Sequence, residues 1–157
     1  MNRTLDFDEV DKKILAVLMK NANTPYTDIA KQIRVSGGTV HVRMNRLEEL
    51  GVVVGSSISL DFTKLGFDVT AFIGIHLESS SMFESVSDQL KFIPEIVAAN
   101  YTTGAYGIFA KVICRDTPHL RTVLHDKIQK INGVQRTETF ISLQECINRP
   151  LDIMAIE

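Results

Sequence analysis

The sequence predicts an α+β fold in two parts, and three observations carry that reading. Up to residue 50 the apolar residues recur at helical spacing, as Val10, Ile14, Val17 and Leu18 and again as Val40, Met44, Leu47 and Leu50. From residue 67 the period changes to two, with Phe67, Val69, Ala71, Ile73, Ile75 and Leu77 falling on one face of an extended segment. The segments that follow run strand, helix, strand, strand, helix, strand, the βαββαβ order of a ferredoxin-like sheet.

The first helix is expected over about residues 7–20, with Asp6 as its N-cap and Glu9 three positions on. In the second, Thr24 is the expected cap and Pro25 lies in the first turn, where its missing N–H has no cost; Ile29, Ala30 and Ile33 form the apolar side. Arg34 and Val35 make a tight connection. Ser36 then caps a third helix, which Gly51 ends. Three helices with a short turn between the last two form a helix-turn-helix, here of the winged type.

Steps of 100° place Gly38, Thr39, His41, Val42, Asn45 and Arg46 on the third helix opposite its core residues, with Arg43 on the flank. These side chains suit DNA. Arg43 and Arg46 pair with phosphates or guanine edges, Asn45 and His41 hydrogen-bond bases, and Val42 meets a thymine methyl. Ser36, Gly37 and Gly38 open the helix, and the two glycines let its free N–H groups approach a phosphate. The same face also suits a solvated side of a helical bundle. The glycines do not form a nucleotide-binding loop, because the strand before them and the Gly-Lys-Ser/Thr ending are missing.

Residues 53–65 read as a short β segment and turn linking the parts, which gives domains at 1–52 and 66–157. Asp68, Thr70, Gly74 and His76 occupy the second face of the first long strand. Phe83, Val86, Leu90 and Ile93 make a helix ended by Pro94, and two strands flank Gly104-Ala105 as a two-residue hairpin turn. Thr117 caps the last helix, with Pro118 in its first turn, Leu120, Val123, Leu124, Ile128 and Ile131 as its stripe, and Asn132-Gly133 after it. "VQRTETFISLQ" closes the sheet. Helices cover one face of such a sheet. Phe109, Ile141 and Leu143 are placed on the other, which therefore calls for a second copy.

The 157 residues suffice for one domain or two small ones, and a composition 45% hydrophobic and 23% charged is that of a folding chain. A net charge of -2 conceals an unbroken basic stretch, since residues 31–46 hold Lys31, Arg34, Arg43 and Arg46 without an acid. Exposed charges act over about 10 Å, so the local balance governs phosphate attraction. No apolar run reaches a membrane span and no signal-peptide core is present, so a cytoplasmic location without membrane contact is expected. Cys114 and Cys146 are expected as buried free thiols, and no metal or cofactor site is indicated. His119 and His125 fall on different faces of their helix. No catalytic spacing is found, and the chain is not expected to be an enzyme.

The segment "VSGGTVHVRMNRLEELGVV", the linker end "LDFTKLGFDV" and the hairpin "YTTGAYGIFAKV" together resemble the Lrp/AsnC feast/famine regulators, across essentially the whole chain. The hairpin is most similar to that of the asparagine-responsive AsnC branch. The resemblance implies a transcription regulator that binds double-stranded DNA, forms homodimers that assemble to octamers, and takes an amino acid effector, asparagine, in its C-terminal domain. It places that effector among Asn100, Tyr101, Thr102, Thr103, Gly104, Ala105 and Tyr106, with Gln135, Thr137 and Glu138 of the last strand. Hydroxyls and backbone N–H groups there suit a carboxylate. Many members carry Asp directly after the hairpin tyrosine, where this chain has Gly107. Glu138 or backbone carbonyls then have to hold the ammonium. Two alternatives stay open, an amino-acid-binding metabolic module or enzyme without DNA binding, and an architectural DNA-binding protein without an effector.

Overall fold

The structure, a computed structural model, describes residues 7–155. The chain divides into two compact units, one of Met1–Ser59 with Ile147–Glu157 and one of Leu60–Cys146.

The first unit is built on three helices, α1 (Glu9–Lys20), α2 (Tyr26–Ile33) and α3 (Gly37–Glu49). Their apolar stripes meet in a core of Ile14, Ile29, Ala30, Val40, Met44 and Leu47. Each fully buried isoleucine there contributes on the order of 1.5–3 kcal/mol. Asp8, not Asp6, caps α1; its carboxylate accepts the N–H groups of Val10 and Asp11 at 2.9 and 3.0 Å. Asp11 completes the capping box in place of Glu9. Asp6 itself lies outside the described residues. Pro25 stands just before α2, and Thr24 instead donates its hydroxyl to the Asn21 carbonyl at 2.8 Å. Arg34 ends α2 in the left-handed conformation, φ 60°, which turns the chain sharply into Ser36. Ser36 caps α3 as expected, accepting the Thr39 N–H at 3.0 Å. Leu50 leaves the core stripe and is 45% exposed, because the helix stops at Glu49 and Gly51 reverses the chain at φ 70°.

No strand forms between residues 53 and 62. A lone extended segment has no neighbour to take its backbone hydrogen bonds. Its Val54 and Ile58 are 93% and 87% exposed. A 3-10 turn at Thr63–Leu65 closes through Gly66, whose φ of 82° favours glycine.

The second unit carries one antiparallel sheet of β1 (Val69–Leu77), β2 (Ile96–Tyr101), β3 (Ile108–Cys114) and β4 (Val134–Ile141), in the order β2-β3-β1-β4. That order and the two crossing helices are the ferredoxin-like arrangement. Helix α4 (Phe83–Leu90) stops short of Ile93. Helix α5 (Thr117–Thr122) is capped by Asp116, not Thr117, and runs on into a wider π turn, Val123–Ile128. Ala71, Ile73, Ile75, Val112, Val86 and Val123 fill the core between sheet and helices. The β2–β3 connection spans six residues, Thr102–Gly107, since Tyr101 pairs with Ile108. Cys114 is buried as expected, whereas Cys146 is exposed.

Candidate nucleic-acid interface and effector loop

Helix α3 has one free face. His41, Val42 and Asn45 are exposed, Val42 by 67%, and Thr39 is half-buried under the Ser36 cap. The ring of His41 stands 5.9 Å from that of Tyr26, so α2 sets its orientation. Gly37 has open space where a Cβ would project, and at Gly38 a Cβ would meet only the Ser36 hydroxyl at 3.8 Å.

The two arginines are tied inward. Arg43 donates to Asp8 at 2.6 Å and to both oxygens of Asp11, which is 1% exposed. Arg46 lies 3.9 Å from the same Asp11 carboxylate. The Asp8 carboxyl is held below its ordinary value by the Asp11 N–H and then by Arg43, while Asp8 in turn raises the Arg43 guanidinium. Arg43 thus clamps the start of α1 onto α3. The acids of this clamp, at separations of 32 and 35 residues, had no local signal in the sequence.

The loop between β2 and β3 is folded on itself. The Thr102 hydroxyl donates to the Tyr106 carbonyl at 2.5 Å, and the Thr102 N–H donates to Gly107 at 3.2 Å. Thr103, Gly104 and Ala105 are exposed at its tip. The Tyr106 ring lies over Gly74 of β1, where a Cβ would come within 2.5 Å of it, and its hydroxyl donates to Glu138 at 2.9 Å. Glu138 is also met by His76 at 3.2 Å and Arg136 at 3.0 Å. The Tyr106 hydrogen bond, then that of His76, lowers the Glu138 carboxyl, and Glu138 raises the Tyr106 phenol. Gly107 packs so closely on Leu77 that a Cβ would stand 2.9 Å from it. An acid at that position has no room unless Leu77 moves.

The expected effector residues do not all converge. Thr137 pairs across from Ile75 on the helix-covered face and accepts from Gln129 at 2.9 Å, while Glu138 pairs across from Gly74 on the other face. Tyr101 packs against Phe83, ring centres 4.2 Å apart. Asn100 pairs with Phe109 and is exposed, and Gln135 sits where the β1–β4 register shifts. Only Thr102, Tyr106 and Glu138 form one connected group.

Tyr106, Phe109 and Phe140 make a mutually packed aromatic cluster on the sheet face opposite the helices. Phe72 stacks on Phe109 at 6.0 Å. Ile141 pairs with the core residue Ala71 and so lies on the helix side, contrary to expectation; strand alternation gives its place on the open face to Phe140.

Comparison with known proteins matches residues 70–151 to the model of the Lrp/AsnC ligand binding domain and residues 7–54 to a winged helix-turn-helix DNA-binding model. The regulatory protein AsnC of Haemophilus influenzae is 45% identical over 93% of this chain and 97% of its own. That of Escherichia coli is 44% identical over 92% and 95%. The solved structure of E. coli AsnC superposes with a TM-score of 0.88 at 43% identity, covering 92% of this chain and 97% of that one. A transcriptional regulator of Neisseria meningitidis solved in complex with L-methionine shares the fold, with a TM-score of 0.86 at 21% identity over 90% of this chain and 93% of that one.

Proposed function

Because this chain belongs to the Lrp/AsnC family of transcription regulators, we propose that it reads duplex DNA with the exposed face of α3 and answers to asparagine at the 100–107 loop. It is an AsnC-type regulator, not an enzyme, with a DNA-binding and a ligand-binding domain. The observation that carries the DNA reading is the free trio of His41, Val42 and Asn45 on the helix that follows the turn. Asn45 and His41 supply base-edge hydrogen bonds, Val42 an apolar contact, and Ser36, Gly37, Gly38 and Thr39 bring the helix start to the phosphates. Arg46 adds charge at the edge of this face, while Arg43 holds the helix in place.

The working unit in this reading is a homodimer that assembles further to an octamer. The aromatic cluster around Phe109 and the exposed Val54 and Ile58 support a second copy as partner. Two recognition helices would then enter major grooves about 34 Å apart, which favours an inverted-repeat site. The protein would act in the cytoplasm, where its DNA lies; no described helix is long and apolar enough to cross a membrane.

For the effector, the bond between Tyr106 and Glu138 supports a simple switch. An asparagine ammonium competes with the Tyr106 hydroxyl for the carboxylate, and the Thr102–Tyr106 loop rearranges as that bond is given up. The coupling to DNA is a difference in ligand affinity between two assemblies. Footprinting of the DNA upstream of its own gene, with and without asparagine, tests both halves. The expected result is a protected inverted repeat whose occupancy or spacing changes with asparagine. No protection at any protein concentration would overturn the DNA reading, and identical footprints with and without asparagine would overturn the effector reading.

A further inference from the structure

A cleft of about 410 Å³ opens in the second unit, at the end of the β2–β3 pair away from the loop that joins Tyr101 to Ile108, and its walls are mostly apolar. Phe62 and Phe67 meet edge to face at 6.5 Å on one side, and Val97 and Ile113 face the same space from β2 and β3. Three charged or titratable side chains reach it, namely Glu95, His119 and Arg115.

Two of the three are engaged within the fold, although the second oxygen of Glu95, Oε2, is buried without a hydrogen-bond partner. One oxygen of Glu95 accepts from Lys127 at 2.6 Å and from His119 at 3.1 Å. Burial pushes the Glu95 carboxyl up, but the bonds from Lys127 and His119 outweigh it and leave the group below its ordinary value, hence ionised and neutralised in place. The second ring nitrogen of His119 accepts the Arg115 N–H at 3.2 Å. This fixes the ring as the tautomer protonated on Nε2, and both nitrogens are used. Asp116, next in sequence, is engaged in capping α5. Among the described residues the Arg115 guanidinium takes part in no ion pair or side-chain hydrogen bond, and it stands at the cleft as a free, exposed cation.

We propose that this cleft is a second small-molecule site, which takes an apolar or aromatic monocarboxylate with its carboxylate on Arg115 and its hydrocarbon part against Phe62, Phe67, Val97 and Ile113. The volume lies within the range of small-ligand pockets, about 300–1,000 Å³, and suits a single ring with a short acidic arm. A planar guanidinium grips a carboxylate through two parallel N–H bonds, and aromatic walls exclude water from the rest. An ammonium has no accessible acceptor here, because Oε1 of Glu95 is taken by Lys127 and His119 and Oε2, although unpartnered, is closed off from the cleft surface by burial. The site therefore discriminates by charge, and against zwitterions. The proposal goes beyond the asparagine reading and uses none of its residues, so either can fail alone.

The test is a titration of the full-length protein with phenylacetate, benzylamine and phenylacetamide, followed by calorimetry and by the methyl NMR signals of Val97 and Ile113. Phenylacetate should bind and move those signals, with benzylamine and phenylacetamide at least about tenfold weaker. Arg115→Gln, at an exposed position that leaves the melting temperature unchanged, should weaken phenylacetate by a similar factor while the footprint response to asparagine persists. Val97→Trp, which fills the cleft, should abolish binding. Equal binding of the three probes, or unchanged affinity in Arg115→Gln, would overturn the proposal. So would the absence of any shift with sedimentation showing a self-associated protein at every concentration used, since a second copy would then occupy the cleft.

Discussion

The guanidinium of Arg43 on α3 lies 3.2 Å from a carboxylate oxygen of Asp11 on α1, and Asp11 is 1% exposed. The pair joins α3, the helix proposed to face DNA, to the first helix of the unit. Asp8 closes the same bond network from the cap of α1, at 2.6 Å. An arginine on the flank of the proposed DNA-facing helix is therefore engaged in its own fold, and the basic character of residues 31–46 is partly spent internally.

Removing Arg43 leaves the buried Asp11 carboxylate without its nearer cation and with Arg46 3.9 Å away, a costly loss for an ion pair out of water. Arg43→Ala is expected to lower the melting temperature by on the order of 10 °C, more than Arg46→Ala. Arg43→Lys should restore only part of the loss, because one ammonium cannot serve Asp8 and both Asp11 oxygens in the way a planar fork can. Differential scanning calorimetry of the three variants decides the order. A melting temperature for Arg43→Ala equal to that of the parent would refute the clamp.

The clamp also sets a pH dependence. The Asp8 carboxyl is lowered in the folded chain, chiefly by the Asp11 N–H and then by Arg43. A depressed carboxyl contributes stability above its unfolded value, here the ordinary 3.8, and loses it as pH falls through the folded value. The melting temperature should accordingly hold steady above about pH 5 and fall steadily below about pH 4. Asp8→Asn should start lower at neutral pH and show a shallower acid slope. Parallel slopes for parent and variant would remove Asp8 from the account.

Where the local pattern was strong, the sequence was enough. Val40, Met44 and Leu47 share one face of α3 and are all buried, and the alternation from Val69 to Leu77 is the central strand β1. Misplaced features depend either on a choice among crowded local candidates or on partners far along the chain. Asp6, Asp8, Glu9 and Asp11 crowd the start of α1, and spacing alone does not say which one caps it. The loop at 102–107 is longer than a two-residue turn because pairing with β3 stops at Tyr101, a cross-strand matter. For the same reason the Arg43 clamp was invisible. The division of Thr137 from Glu138 follows from strand alternation alone and was available without a structure.

Gly74 permits the Tyr106 ring to lie across the sheet, since a Cβ there would come within 2.5 Å of two ring atoms and 2.7 Å of a third. Gly74→Ala must therefore displace an aromatic ring that also stacks with Phe109, with ring centres 5.7 Å apart. Overpacking of this kind costs about 1–3 kcal/mol. The variant should melt lower and, by detaching Tyr106 from Glu138, change its asparagine affinity. Tyr106→Phe keeps the ring and removes only the hydroxyl bond, so it should alter asparagine affinity with a smaller loss of stability. Calorimetric titration of both variants with asparagine separates the ring from the hydroxyl. Parent-like binding in both would exclude Tyr106 from the effector response.

The glycines at the start of α3 answer to a different constraint. Neither has a positive φ, and nothing crowds a Cβ at Gly37, while at Gly38 only the Ser36 hydroxyl is near, at an ordinary 3.8 Å. Folding therefore gives no reason for glycine at either position. Alanine in a helix is favoured over glycine by about 0.5–1 kcal/mol, so Gly37→Ala and Gly38→Ala should each leave stability unchanged or raise it by up to that amount. If the helix start approaches a phosphate, the added methyl groups stand between backbone N–H groups and oxygen, and DNA affinity falls as stability rises. Opposite signs in the two measurements, thermal melting and gel shift, are the signature of a contact surface. A variant more stable and equally tight on DNA would mean that these glycines do not touch the backbone at all.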